Sequence, residues 1–404
     1  MPAATPHPPF RLRRAALCAL AAVLAASACG GSDGADDPAS SAGPGNGGTA
    51  PSAPWVWELP AGFAAPLVPT DNPMNAAKVE LGRQLFFDTR LSGNGTLACA
   101  SCHAAERAFA ENRALGRGST GQNHPRNTPT LINAAYQVTL DWANPAPRTL
   151  EQQMRTPLFG TNPIEMGAND GNREQIIERL RTHADYPGRF AAAFAGEAAP
   201  LHWDNIIKAI AAFERTLVSA GSRWDQARAG RITLEAAEQR GEQLFFGPQA
   251  LCSQCHGGPN LGGAFADATQ RVGEPAFHNI GLFNIGGSGA YPAPNRGLLE
   301  FTGRAEDMGK FRAPSLRNVE LTAPYFHDGS VATLEGALDI HAAGGRDMGP
   351  GLYAGDGRSN PFKDPLIDRI RLDAQDKADL IAFLKTLSDA GVATNPRFAD
   401  PAVN

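Results

Sequence analysis

Apolar residues recur at helical spacing in five stretches of the chain. These stretches cover residues 75–87, 174–182, 203–220, 233–246 and 374–387. Apolar positions repeated at i, i+3 and i+4 predict amphipathic helices. Sustained strand-like alternation is absent from the sequence. The hydrophobic pattern therefore predicts a mostly α-helical protein in which long loops connect the helices.

The first 28 residues have the features of a bacterial export signal. Three arginines lie within 11–14, and the apolar run over 15–26 is too short to span a membrane comfortably. The run leads to Cys29, which is typical of a lipoprotein cleavage site with that cysteine lipidated. An ordinary signal peptide cleaved at the same place is the alternative. In both cases 1–28 is removed together with Cys18, and the mature protein is expected in the periplasm.

The rest of the chain is predicted to hold a linker and two domains. Residues 29–54 are mostly Gly, Ser, Ala, Pro and Asp, a composition that favours a flexible linker. The first large apolar residues after it, from Trp55 onward, mark the start of the folded part. We place the boundary between the domains near residue 230, which gives domains at 55–230 and 231–404.

The charge of the chain limits its partners. Its 404 residues include 36 Lys and Arg against 41 Asp and Glu, a net charge of −5 at pH 7. Removal of the signal takes away three arginines and no acidic residue, so the mature chain is more acidic still. Nucleic acid is therefore excluded as a partner. Contact with a membrane is expected only through a lipid on Cys29.

One short pattern occurs twice in the chain. Gly-x-Gln-Leu-Phe-Phe stands at 82–87 and 241–246, and Cys-x-x-Cys-His follows each time, at 99–103 and 252–256. In Cys-x-x-Cys-His, the thiols attach a c-type haem and the histidine ligates its iron. The predicted haem-binding residues are Cys99, Cys102, His103, Cys252, Cys255 and His256. The repeat predicts a duplicated module with two haems, and hence redox chemistry.

Paired cysteines also have uses other than haem attachment. Cys-x-x-Cys also occurs in zinc sites, in disulfide oxidoreductases and in structural disulfides. A zinc site does not need a histidine directly after both pairs, and it does not need export to the cell envelope. Both features favour haem.

The motifs along the mature chain resemble those of the bacterial di-haem cytochrome c peroxidase and MauG family. They are LGRQLFFDTRLS (81–92), CASCH, PRNTPTLIN (125–133), LEQQ with EMG (150–167), LFF with CSQCH, HNIGL (278–282) and PSLRNVELTAPYFHDGSVATLEGALDIH (314–341). The segments at 57–63 and 142–145 resemble the MbnH branch, found beside methanobactin copper-uptake genes. The resemblance implies two cytochrome c-type haem domains in tandem, with the haems near the domain interface.

The resemblance implies that peroxide reacts at the haem whose proximal ligand is His103. Ser119 stands where some members have a histidine that plugs this haem, so we expect an open, five-coordinate iron. His124 lies close by in sequence and is interpreted as a loop residue rather than a competing ligand. Glu165 matches the glutamate that moves a proton during peroxide cleavage. Gln153, together with Pro157, matches residues that line the same pocket.

The resemblance implies a closed second haem, held by His256 on one side and His341 on the other. His341 stands where peroxidases have methionine and MauG has tyrosine. Met308 and Met348 are the rival sixth ligands. His327 matches a position near this haem, where we expect it not to bind the iron.

The resemblance also implies a connection between the haems. Trp142 matches a tryptophan that relays electrons between the irons. Asn127, with the backbone carbonyls of Thr322 and Pro324, matches a calcium site between the domains, and oxygen ligands suit Ca²⁺.

These features predict a periplasmic di-haem oxidoreductase that uses hydrogen peroxide. In the favoured version it oxidises aromatic side chains, tryptophan above all, on a partner such as a copper-binding protein. In the alternative, a small cytochrome c or cupredoxin supplies electrons and peroxide is simply reduced. A non-catalytic di-haem electron carrier is a further alternative.

Overall fold

A computed structural model of the protein describes residues 55–60 and 62–402. The predicted signal peptide and the whole linker, including Cys29, fall outside the described residues. The helices are α1 Ala76–Phe87, α2 Leu150–Gln153, α3 Arg155–Phe159, α4 Arg173–Arg181, α5 Tyr186–Ala193, α6 Trp203–Glu214, α7 Arg223–Arg228, α8 Ala236–Phe246, α9 Cys252–Cys255, α10 Leu299–Thr302, α11 Leu334–Ala343, α12 Ala374–Lys385 and α13 Gly391–Thr394. Short 3-10 turns lie at Thr89–Leu91, Cys99–Ser101, Ala105–Arg107, Ala134–Tyr136, Ala305–Asp307, Val319–Leu321, Gly357–Ser359 and Ile367–Arg369.

Strands contribute little to the described part of the chain. β1 (Phe265–Ala266) pairs antiparallel with β2 (Arg271–Val272). β3 (Phe277–His278) pairs antiparallel with β4 (Phe311–Arg312), so that Phe277 lies opposite Arg312. The prediction of a mostly helical protein is confirmed. Within the described residues, no helix is long and apolar enough to cross a membrane.

The five predicted helices are present, but some of them begin or end at residues other than the hydrophobic pattern predicts. α1 begins one residue after the predicted start because the Asn75 side chain accepts a hydrogen bond from the Lys78 backbone N–H and caps the helix. α6 was predicted to reach residue 220 but ends at Glu214. There the Thr216 hydroxyl donates to the carbonyl of Phe213, which competes with the helical hydrogen bonds.

Each copy of the repeated pattern forms one half of a close helix pair. In the first copy α1 packs on α6, and in the second copy α8 packs on α12. A Cβ added at Gly82 would lie 1.9 Å from the carbonyl oxygen of Ala209, and one added at Gly241 would lie 2.0 Å from that of Asp379. The repeated glycine is therefore present because the two backbones approach too closely for any side chain.

The aromatic residues of the pattern pack in the same way in both pairs. The ring centroids of Phe86 and Phe213 are 5.3 Å apart, with the rings inclined by 61°. Phe245 and Phe383 are 5.2 Å apart and inclined by 54°. Edge-on packing of this kind adds to the stability that burial of the rings gives. All four of these rings lie in the core.

Both helix pairs also end in the same way. Thr386 donates its hydroxyl to the Phe383 carbonyl, as Thr216 does to Phe213. The residues after these threonines accept from two left-handed asparagines: the Asn133 N–H donates to Leu217 O, and the Asn318 N–H donates to Leu387 O. Asn133 and Asn318 have φ of 58° and 62°, a conformation that asparagine tolerates better than most residues.

The apolar core follows the two helix pairs. One cluster contains α1, α6 and their neighbours together with Val392 and Phe398 from near the C-terminus. A second contains residues between 224 and 387, and a third surrounds Trp142 and Phe311. The domain boundary near residue 230 stays a prediction.

Removing either glycine should damage the fold. We expect Gly82→Ala and Gly241→Ala each to lower the free energy of unfolding by about 1–3 kcal/mol or more, because the new methyl group meets backbone atoms. Gly188→Ala is the matched control. Gly188 lies within α5, and a Cβ there meets no atom within 4 Å. This variant should be as stable as the wild type or more stable by up to about 1 kcal/mol.

Urea unfolding of the three variants measures these differences. If all three glycine variants unfold at the wild-type urea concentration, the helices do not approach as closely as described.

Candidate haem sites

The first Cys-x-x-Cys-His segment lies in a tight turn that fixes its histidine. Cys99 begins a 3-10 turn, and the His103 backbone N–H donates to its carbonyl oxygen over 3.0 Å. The His103 ring Nδ1 lies 2.8 Å from the carbonyl oxygen of Phe109. A carbonyl can only accept, so Nδ1 carries the proton and Nε2 presents a lone pair. This is the tautomer that a metal-ligating histidine needs.

The second segment repeats this arrangement with a different carbonyl. Its cysteines form the short helix α9, and Nδ1 of His256 lies 3.0 Å from the carbonyl oxygen of Pro314. Burial lowers the pKa of His103 and also that of His256, in both cases to about 4. Both rings are therefore neutral at pH 7, with Nε2 available to bind iron.

The described cysteines do not support the zinc and disulfide alternatives. Cys99, Cys102, Cys252 and Cys255 form no disulfide. Across residues 55–60 and 62–402, no group of three or more His, Cys, Asp or Glu side chains is arranged to hold a metal ion. The two cysteine pairs thus do not combine into one four-thiolate site.

A cavity of about 230 Å³ adjoins the second segment. It is lined by Cys252, Cys255 and His256 together with residues from distant parts of the chain, namely Asn127, Trp142, His278, Arg312, Thr322, Pro324, His327 and His341. Most of the remaining lining is apolar, from residues such as Leu338, Leu380 and Leu384.

His341 lies on this cavity, whereas neither rival methionine does. The ring Nδ1 of His341 donates to the carbonyl of Ala337 one helical turn earlier, over 2.8 Å, so that Nε2 again presents its lone pair. Burial lowers the pKa of His341. Met308 and Met348 instead pack against the aromatic cluster around Trp142 and do not line the cavity. The geometry supports His341 as the sixth ligand, which stays a prediction.

The chemistry of the lining fits a haem. Arg312 is buried on the cavity wall, and burial lowers the pKa of its guanidinium to about 10. Its hydrogen bonds go to the backbone carbonyls of Asp141 and Ala313. A buried cation of this kind suits an anionic group such as a haem propionate. Apolar walls, two neutral imidazoles and this cation together match a flat, largely apolar ring with carboxylate edges.

The predicted peroxide pocket of the first haem is built from two packed loops. The Ser119 backbone N–H donates to the carbonyl of Glu165 over 2.8 Å. The loops meet so closely that a Cβ at Gly118 would lie 1.8 Å from the carbonyl oxygen of Ile164. The Met166 N–H donates to the carbonyl of Pro157 in α3, which directly follows α2, where Gln153 lies. The structure thus brings Ser119, Pro157 and Glu165 to one region, and Gln153 lies in the helix just before Pro157.

Glu165 is close to the first haem-binding segment and is unusually basic for a carboxylate. Burial raises its pKa to about 7, and the negative charge of Asp141 contributes. Burial raises the pKa of the Cys99 and Cys102 thiols, and the negative charge of Glu165 raises both further. A carboxyl group with a pKa near neutrality can both accept and return a proton at physiological pH.

The predicted connection between the sites also has a defined geometry. Trp142 lines the cavity, and its indole N–H donates to the carbonyl of Asn127 over 2.8 Å. The Asn127 side-chain N–H donates to the carbonyls of Arg113 and Ala114, so its amide oxygen faces away from them. Asn127, Thr322 and Pro324 share the cavity wall. Calcium there stays a prediction.

His327 and three further residues belong to the sites. His327 stacks on Phe311 with ring centroids 3.6 Å apart, which accounts for its position near the cavity.

Sequence reasoning missed Arg312 and Asp141, which carry the charges beside Trp142, and it assigned no role to His278. His278 lies 2.6 Å from Asp364 and lines the cavity. Its motif HNIGL was visible in the sequence, but burial of Arg312 was not.

Comparison with known proteins gives relatives across most of the chain. A family model described as di-haem cytochrome c peroxidase matches residues 76–233. The chain is 35% identical to cytochrome-c peroxidase IdrP1 of Pseudomonas sp. (strain SCT) over 338 residues, which cover 80% of this chain and 83% of the relative. It is 33% identical to methylamine utilization protein MauG of Methylorubrum extorquens over 324 residues, 79% of this chain and 80% of the relative.

A solved structure extends the match to the fold. The crystal structure of a MauG-like protein associated with microbial copper homeostasis has a TM-score of 0.84 and 54% identity, and the match covers 86% of this chain and 99% of that one. The chain therefore belongs to the di-haem cytochrome c peroxidase and MauG family of peroxide-dependent oxidoreductases, which carry two c-type haems.

Proposed function

We propose that this protein is a periplasmic enzyme that uses hydrogen peroxide to oxidise aromatic side chains, tryptophan above all, on a partner protein. The observation that carries the proposal is the 54% identity to a MauG-like protein associated with microbial copper homeostasis, a match that covers 99% of that chain. A periplasmic copper-binding protein is the partner we favour. Hydrogen peroxide accepts two electrons and two protons and leaves as two waters, and the electrons come from the partner.

The bound haems would supply the iron chemistry that cleaves peroxide and holds the two oxidising equivalents until the partner is oxidised. His103 would hold the first haem through Nε2, and His256 with His341 the second. Arg312 would neutralise a propionate on the second. Two neutral imidazoles stabilise the ferric and higher states more than a methionine does, which suits a site that stores charge.

Glu165 would handle the protons of the reaction. Its carboxylate removes the proton from one peroxide oxygen and, as the carboxylic acid, gives it to the departing oxygen. The pKa near 7 allows both steps at neutral pH. Gln153 would orient the peroxide as a hydrogen-bond donor.

Trp142 would carry electrons between the haems. Its ring is fixed by the hydrogen bond to Asn127, and it lies on the wall of the cavity beside His256. Asp141, the preceding residue, lies near Glu165 of the peroxide pocket. Its negative charge raises the pKa of Glu165, although burial has the larger effect. One short segment thus reaches both sites, which supports a relay role.

A second candidate is a cytochrome c peroxidase that takes electrons from a small cytochrome or cupredoxin. It is favoured by relatives that carry this name, including cytochrome c551 peroxidase of Nitrosomonas europaea, 35% identical over 270 residues. The protonation chemistry at Glu165 is the same in both candidates. They differ only in where the electrons come from.

Glu165→Gln should slow the reaction with peroxide about 10²–10⁴-fold, because the amide cannot exchange the proton. The wild-type rate should rise with pH through about 7 and then level off, since the carboxylate is the form that accepts the proton from peroxide. Stopped-flow mixing of haem-loaded protein with peroxide between pH 5 and about 9 measures both effects. Glu106→Gln, on an exposed side chain, is the control.

A pH profile that is the same in wild type and Glu165→Gln would rule out Glu165 as the proton-transfer group. A midpoint near the ordinary glutamate value would show that Glu165 is not buried as described.

His341→Met should raise the reduction potential of one haem, because a methionine ligand favours the ferrous state relative to histidine. Met308→Leu and Met348→Leu are the controls, since these side chains lie off the cavity. Spectroelectrochemical titration measures the two potentials. A shift in either methionine variant, with none in His341→Met, would assign the sixth ligand to that methionine.

The partner reaction can be tested directly. Haem-loaded protein, hydrogen peroxide and a purified periplasmic copper-binding protein that contains tryptophan should yield a partner with a mass change confined to tryptophan. Peptide mass spectrometry detects it. The Glu165→Gln enzyme serves as the control and should leave the partner unchanged.

An unmodified partner, combined with rapid oxidation of reduced cytochrome c by the same enzyme and peroxide, would favour the second candidate instead. No reaction with peroxide at all would leave only an electron carrier.

A further inference from the structure

His124 lies against Glu165, although the sequence places it in a separate loop. Its ring Nδ1 is 3.4 Å from Glu165 Oε1. The His124 backbone N–H donates to the carbonyl of Gly116 over 2.8 Å, which fixes the loop. Both side chains are largely shielded from solvent, with 16% of the His124 side chain and 30% of the Glu165 side chain exposed. The pair therefore lies inside the peroxide pocket rather than on the surface.

The other ring nitrogen of His124 has no hydrogen-bond partner among the described residues. Its Nε2 is buried and makes no hydrogen bond. Burial of an imidazole without partners is unfavourable, and among the described residues the polar contact of this ring is the one between Nδ1 and Glu165. Burial also lowers the pKa of His124, which leaves the ring neutral at pH 7 with one N–H to donate.

Two further carboxylates, Glu111 and Asp141, lie near the pair, and arginines lie beside each of them. Glu111 lies beside His124: a Cβ at Gly116 would be 3.1 Å from Glu111 Oε2 and 3.9 Å from His124 Cγ. Glu111 is buried, accepts from Thr128 and contacts Arg113. On the other side Asp141, which is flanked by Arg126 and Arg312, faces Glu165. Because Asp141 disfavours the ionised form of Glu165, a hydrogen-bond donor beside Glu165 would stabilise its carboxylate.

We propose that His124 is a positioning residue for Glu165, whose Nδ1–H holds and orients the carboxylate that accepts the proton from peroxide. This inference rests on the proposed role of Glu165 and adds the group that keeps it in its reactive form. The 3.4 Å separation would shorten to a hydrogen bond when peroxide binds, as contacts in active sites commonly do. His124 acts on Glu165 through Nδ1, and the spin-state measurement below tests whether its Nε2 binds iron.

Two substitutions show whether His124 acts on Glu165 as a hydrogen-bond donor or only fills space beside it. His124→Leu removes the donor, whereas His124→Asn keeps an N–H at the position of Nδ1 without an imidazole. His202 provides a matched control, because it forms the same kind of pair, 3.4 Å from Glu197, on the exposed surface. His202→Leu should change none of the measurements below. Thermal unfolding of each haem-loaded variant checks that the fold is retained.

The direct readout is the ionisation of Glu165 itself. Infrared difference spectra of the haem-loaded protein, with Glu165→Gln to identify the carboxyl band, follow the Glu165 pKa without any turnover. We expect this pKa to rise by about one unit in His124→Leu, a tenfold change in the protonation equilibrium, and to return toward the wild-type value in His124→Asn. The pH at which peroxide reacts should move upward in parallel.

A second readout is the spin state of the ferric haems, which should be the same in wild type, His124→Leu and His124→Asn. An unchanged Glu165 pKa in His124→Leu would overturn the proposal. Conversion of a low-spin haem to high spin in that variant would also overturn it, because it would identify His124 as an iron ligand. If the wild-type protein does not react with peroxide, the proposed function is wrong. The infrared measurement of the Glu165 pKa would still test the role of His124.

Discussion

In each half of this protein a pair of helices approaches so closely that a β-carbon has no room between them. The contact at Gly82 holds α1 on α6, and the contact at Gly241 holds α8 on α12. Each pair ends at a threonine, and the residue after it accepts a hydrogen bond from an asparagine in the left-handed conformation. Such asparagines end the segments 129–133 and 314–318, and the carbonyl of Pro314 in the second fixes the tautomer of His256. The position of the His256 ring therefore depends, through this segment, on the close contact between α8 and α12.

The two copies share this scaffold but differ in what faces each haem from the other side. In the first copy the loop of Ser119 packs on the loop of Glu165, and a carboxyl with a pKa near 7 lies beside the cysteines. In the second copy a neutral imidazole, His341, shares a cavity with His256. From these different neighbours we propose proton transfer at the first iron and two imidazole ligands at the second. The unequal copies are thus suited to reacting with peroxide and to storing charge.

Much of this could be predicted from the sequence, because short motifs carry the haem chemistry. The hydrophobic pattern predicted the five longer helices, but it extended α6 too far, since the hydroxyl of Thr216 ends the helix through a contact that periodicity does not encode. The repeat continues into AFERTL (212–217) and AFLKTL (382–387), a signal that was present and missed. Burial of Arg312 and the contact between His124 and Glu165 depend on distant segments meeting, which one sequence cannot show.

The central claim is that the two irons are unequal, one open to peroxide and one closed by two imidazoles. Low-temperature electron paramagnetic resonance of the fully oxidised, haem-loaded wild-type protein tests it most directly. The account predicts one high-spin and one low-spin ferric signal of equal intensity, with the high-spin signal alone changing when fluoride is added. Two low-spin signals, neither of which responds to fluoride, would contradict it.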